Sequence, residues 1–160
     1  MKVDRTYNVY LVGQISSDVR TFSWREEIET WLGGNEKFKI LNPCAFNYAQ
    51  RLLTQNTNIE DYKKNVYSSK QVSIIPHRDY DMVLLSHIGI ANMDIITPEK
   101  PMVGSFFELA WYFEHPEKTV IGISKDREKF FHCQSPFVTE TIKVWVKDNL
   151  EAVAVIKDMF

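Results

Sequence analysis

Five short apolar runs alternate with helical periodicities along this chain, and that alternation restricts its fold more than any other feature. Asn8 to Val12 closes on Gly13, Phe38 to Leu41 on Asn42-Pro43, and Ile88 to Ala91 on Asn92. Thr119 to Ser124 and the alternating Ile142 to Val146 complete the set. Each has the length and character of a buried strand. Between them, Trp24, Ile28 and Trp31 recur at i, i+4, i+7 on one helical face. Asp79 to Ser86 and Ser105 to His115 also read as helices. A last helix opens at Asp148 or Asn149 and places Leu150, Val153 and Ile156 on one face.

Strands that alternate with helices predict a mostly parallel sheet covered on both faces. The expected architecture is an α/β, three-layer, flavodoxin-like or Rossmann-like fold with five strands. Its ligand is expected at the carboxyl ends of those strands. Ser23 with Glu26 reads as a capping box for the first helix, and Gly33-Gly34 as its stop. Residues 1–160 read as one domain. The polar stretch from Cys44 to Pro76 has little periodicity and is expected to be a lid or arm.

Composition narrows the function classes. With 160 residues the chain can bury a core without disulfides or a structural metal. Its formal net charge of −2 gives no basis for general nucleic-acid or membrane-surface affinity. Cys44 and Cys133 stand apart from each other and from any Cys/His cluster, which argues against zinc and fits a reducing cytoplasm. Met1 to Asn8 is polar and charged, unlike a signal peptide. No apolar run approaches the roughly 20 residues that span a bilayer. Neither a metal nor a cofactor is expected.

Chemistry concentrates where such a fold gathers loops at one edge. Glu108 lies in Gly104-Ser105-Phe106-Phe107-Glu108-Leu109-Ala110-Trp111, one carboxylate among bulky apolar residues. A loop carrying Pro98 and Pro101 precedes it. Taken alone, Ser105-x-x-Glu108 is also a capping box, with Glu108 as the carboxylate that closes back on the cap. Asp79 fits a first-turn helix acid paired with Arg78 or His77, and Asp94 fits a turn former. The remaining polar groups are the Gly13-Gln14 loop and Asn92.

The order of these groups resembles the nucleoside 2-deoxyribosyltransferase family, which includes nucleoside 5′-monophosphate N-glycosidases. The matching pieces are Tyr10-Leu11-Val12-Gly13, Asp79 ahead of His87, Ala91-Asn92-Met93-Asp94, and Gly104-Ser105-x-x-Glu108-Leu109. The resemblance runs from about residue 8 to residue 124.

It implies cleavage or transfer at the N-glycosidic bond of a nucleoside or nucleotide. Glu108 would be the nucleophile, forming a glycosyl-enzyme that water or a second base resolves. Asp79 would protonate or hydrogen-bond the leaving base. Tyr10, Gly13, Gln14, Asn92, Asp94, Gly104 and Ser105 would line the substrate. Ser16 and Ser17 would hold a phosphate if one is present, with Arg20 or Arg25 adding charge. A carboxylate near a helix N-terminus would also be kept ionised.

Two positions depart from the family pattern. Met102 stands where many transferases carry an Asp, and the loop from Gly13 to Asp18 lacks the Arg of the monophosphate-cleaving relatives. Met102 and the long polar segment 44–76 motivate the alternative function, a non-catalytic nucleotide-binding or sequestering protein. The family also implies a homodimer or higher homo-oligomer. Trp24, Trp31, Trp111, Trp145 and the Phe-rich helix supply the apolar groups for one.

Overall fold

Strand β1 (Tyr7–Gly13) is the hub of the molecule because its side chains alternate between two separate cores. Val9 and Leu11 enter one core with Trp24, Ile28, Ile121 and Ile156. Tyr10 and Val12 enter the other with Val83, Met102, Leu109 and Tyr112. A strand buried on both faces must sit mid-sheet between two helical layers. The computed structural model describes residues 5–16, 18–45 and 74–160.

The other strands are β2 (Phe38–Leu41), β3 (Ile88–Asn92), β4 (Thr119–Ile123) and β5 (Val144–Val146). All neighbours pair in parallel, in the order β2-β1-β3-β4-β5. This is the expected flavodoxin-like order, whose direction of winding reverses between β1 and β3. The register Gly13↔Asn92 brings the ends of those two strands side by side.

Helices α1 (Arg20–Leu32) and α5 (Asn149–Met159) pack together on the first face. Helices α2 (Ile75–Leu85) and α3 (Val103–Phe113) pack together on the second. The short α4 (Pro136–Thr139) rests against α3. Among the described residues, no helix is long and apolar enough to cross a membrane.

Several local expectations change. Helix α1 begins at Arg20, so Ser23 lies inside its first turn rather than at the cap. Asp18 does that work instead: its carboxylate accepts from the Arg20 backbone N–H at 2.9 Å. The inner face of α1 is Thr21, Trp24, Arg25, Ile28 and Leu32, and Trp31 is exposed. In α5, Asp148 is the N-cap and accepts from Glu151 N–H at 2.9 Å. That cap turns Leu150 to solvent, while Ala152, Val153 and Ile156 are buried.

Candidate functional site

The decisive local correction concerns Glu108. Helix α3 starts at Val103 with Met102 as its N-cap, so Ser105 is already helical and caps nothing. Glu108 therefore falls in the second turn and faces inward, 7% exposed. Its partner is Tyr10: the phenolic O–H donates to Glu108 Oε1 at 2.5 Å. The capping-box reading of Ser105-x-x-Glu108 is thus replaced by a contact between α3 and the middle of β1. Oε2 accepts no hydrogen bond among the described residues.

Burial dominates the electrostatics here. It pushes the Glu108 carboxyl up from its ordinary range to about 8. The Tyr10 hydroxyl opposes that shift, the Asp79 charge adds to it, and Arg25 and Arg78 oppose it. The expectation of a carboxylate held ionised by the helix terminus is therefore overturned, because desolvation outweighs any dipole one turn away. Tyr10 is raised well above an ordinary phenol, first by burial and then by the charges of Glu108 and Asp79. It stays a hydrogen-bond donor throughout the physiological range.

Asp79 lies on α2. Arg78 donates to Asp79 Oδ1 from Nη2 at 2.6 Å and from Nε at 2.9 Å. Burial raises this carboxyl as well, with the Arg78 hydrogen bonds opposing. Both bonds fall on Oδ1, and Oδ2 accepts none among the described residues. The pairing with Arg78 expected from sequence is present, and the Asp79 charge also acts on Glu108.

Arg25 is the residue that sequence reasoning undervalued. It sits on the inner face of α1 and is fully buried. Nη2 donates to Gly13 O at 2.8 Å, and Nη1 donates to Gln14 O at 3.3 Å and to Thr21 O. Its guanidinium stacks on the Trp24 ring at 4.5 Å, and Nε has no hydrogen-bond partner among the described residues. Among the described residues no carboxylate lies within ion-pair distance of it. Its charge instead acts on Glu108, Tyr10, Asp79 and the Cys44 thiol, which burial raises. The available signal was spacing: Arg25 falls at i+4 from Thr21 and three residues before Ile28, on the buried stripe.

Gly13 is required by this packing. A Cβ there would stand 2.9 Å from Trp24 Cζ2 and 3.4 Å from Arg25 Nη2. Gly104 meets no such demand, since nothing lies within 4 Å of a Cβ built on it.

Other expected substrate residues hold loops together. The Gln14 amide bridges to the proline loop: Oε1 accepts from Ile96 N–H at 3.0 Å and Thr97 N–H at 2.7 Å. Nε2 donates to Thr97 O at 2.8 Å and to Lys100 O. Ser16 Oγ bonds Thr97 Oγ1 at 2.7 Å and accepts from Asp18 N–H. Asn92 Oδ1 accepts from Asp94 N–H at 3.1 Å, an Asx turn leaving β3. Asp94 Oδ1 in turn accepts from Ser124 Oγ at 2.8 Å. Arg20 pairs with Asp18 at 2.6 Å on the surface. Ser17 lies outside the described residues, as does segment 44–76 apart from Cys44, Ala45 and 74–76. His87 is remote from this cluster, at the amino end of β3, where Nδ1 accepts from Asn8 N–H.

No family model matches the chain, and no curated protein matches it either. The fold has a solved counterpart. A crystal structure of a conserved protein from Enterococcus faecalis V583 superposes with a TM-score of 0.60 at 16% identity. The match covers 97% of this chain and 99% of that one. At that identity the likeness establishes a shared fold.

Proposed function

We propose that the chain cleaves or exchanges the N-glycosidic bond of a small nucleoside or nucleotide, with Glu108 as nucleophile. The observation that carries this reading is the 2.5 Å hydrogen bond from Tyr10 to Glu108 Oε1. It fixes one carboxylate oxygen and leaves the other to attack, and the charge of a second, half-buried acid, Asp79, acts on the same group.

In the first step Glu108 Oε2 bonds to the anomeric carbon as the bond to the base nitrogen breaks. The electron pair leaves with the base, and a protonated Asp79 supplies its proton. In the second step water attacks the same carbon and the ester C–O bond breaks. Glu108 leaves as carboxylate and Asp79 takes the proton from water. Two inversions give net retention. A second base in place of water gives transfer. The raised Asp79 carboxyl suits an acid and the Tyr10 donor suits a nucleophile.

One observation favours the non-catalytic alternative. A carboxyl titrating at about 8 is largely protonated at neutral pH, and a protonated acid binds a nucleoside without attacking it. Mass spectrometry of products from a pooled nucleoside and nucleotide panel separates the two, with Glu108→Gln as control. Free base from the wild type alone supports the enzyme; binding without product supports the sequestering protein.

The same reading includes a reducing cytoplasmic setting, in keeping with two free, buried thiols. It also includes a homo-oligomer, although the tryptophan argument for one weakens. Trp24 is core, and Trp111 and Trp145 are half-buried.

A further inference from the structure

The outer side of α3 carries a groove of about 500 Å³ that reaches neither Glu108 nor Asp79. Buried Leu109 and Val138 underlie it, and four phenylalanines line it together with His132 and Ser135. Phe106 is 38% exposed, Phe113 61%, Phe131 92% and Phe137 87%. Phe131 and Phe137 come from the 3₁₀ turn Phe131–Gln134 and from α4, immediately beside the groove. Isolated exposed apolar residues are ordinary, but four aromatic rings around one apolar depression are not.

We propose that this face is where two copies of the chain meet across a two-fold axis. Self-complementarity is the first argument. Phe131 and Phe137 stand at the rim of the groove they help to line and project almost wholly into solvent, so one patch carries both protruding rings and an apolar hollow. A two-fold operator sets each copy's rings into the other's groove. A cavity of about 150 Å³ accepts one benzene-sized ring. The groove therefore has room for both rings of a partner.

Area is the second argument. At roughly 200 Å² per open phenylalanine, these four side chains leave on the order of 550 Å² exposed on each protomer. Doubled across the axis, they alone reach the roughly 1,000 Å² a specific interface needs. The residues around them are polar or charged: Glu114, Lys129, Gln134 and Glu140 are exposed. That gives the apolar centre and polar rim of an association surface. The inference is independent of whether Glu108 is catalytic, because it is read from oligomeric state.

Sedimentation velocity on the full chain tests it. The wild type is expected as a dimer at micromolar concentration. A Phe131→Asp/Phe137→Asp double variant should raise the dimer dissociation constant roughly a hundredfold or more. Both positions are almost fully exposed, so the variant should keep the wild-type circular dichroism and melting behaviour. Leu150→Asp, an exposed apolar position on α5 in the opposite layer, should remain dimeric. A monomeric wild type overturns the proposal, including one that binds an apolar ligand or another protein through the groove. So does a dimer insensitive to the double variant, or one dissociated by Leu150→Asp.

Discussion

Tyr10 and Glu108, separated by 98 positions in sequence, meet at 2.5 Å between the middle of β1 and the second turn of α3. The phenol is the donor because burial holds its proton firmly, and the carboxyl oxygen accepts. This pair joins the sheet to the helix that carries the proposed nucleophile.

Removing the phenol should cost activity through the acid it steadies. In Tyr10→Phe the hydrogen bond that lowers Glu108 is lost, so the Glu108 carboxyl titrates above about 8. The turnover of free base should fall by about a hundredfold at neutral pH, and less at alkaline pH. Steady-state kinetics across pH check this.

The wild-type pH profile follows from the same group. A nucleophile must be ionised and the acid protonated, so kcat/KM should climb with pH as Glu108 ionises toward its value of about 8 and fall again where Asp79 no longer holds its proton. A profile that peaks below pH 6 would assign the attack to another group.

Stability should respond in the opposite direction. Glu108 has a folded value of about 8, above the ordinary 4.5 of an unfolded glutamate. Between those values the unfolded chain releases the proton that the folded chain keeps, so stability falls as pH rises through the window. The contribution is full below about 4.5 and gone above about 8. Glu108→Gln removes the titration. It should therefore be more stable than the wild type at pH 9 by on the order of a few kcal/mol, read as a higher melting temperature, and the advantage should shrink toward pH 4.5.

Strands β1, β3 and β4 were legible because each is buried on both faces and so reads as a continuous apolar run. Phe38–Leu41 needed no tertiary information, and Ile88 to Ala91 only its last residue, Asn92. The start of α3 was harder. Ser105 looks like a cap, but Val103 and Gly104 are already helical, and that shift rotates Glu108 from the cap toward Tyr10. Gln14, Ser16, Asn92 and Asp94 showed where polar side chains cluster, not which partners they take. Their partners on the proline loop and after β4 lie roughly 30 to 80 positions away in sequence. Arg25 could have been flagged by its place on the buried stripe of α1.

Arg25→Met should destabilise the fold by roughly 2–4 kcal/mol, since three buried carbonyls lose their donor. It should also raise Glu108 further and move the alkaline rise of activity upward. Thermal melts and the pH profile read the two effects separately.

Gln14→Ala should free the proline loop from β1. The Ile96 and Thr97 amides lose their acceptor and should exchange with solvent deuterium at least about tenfold faster, while β3 amides remain protected.

Trapping the covalent intermediate addresses the nucleophile itself. A substrate from the active pool, carrying an electron-withdrawing 2-fluoro group on the sugar to slow release, would be quenched and the protein digested for mass spectrometry. The account predicts a single glycosyl adduct, on the peptide containing Glu108 and absent from Glu108→Gln. Release of free base with no adduct on Glu108, or an adduct on another residue, would contradict it.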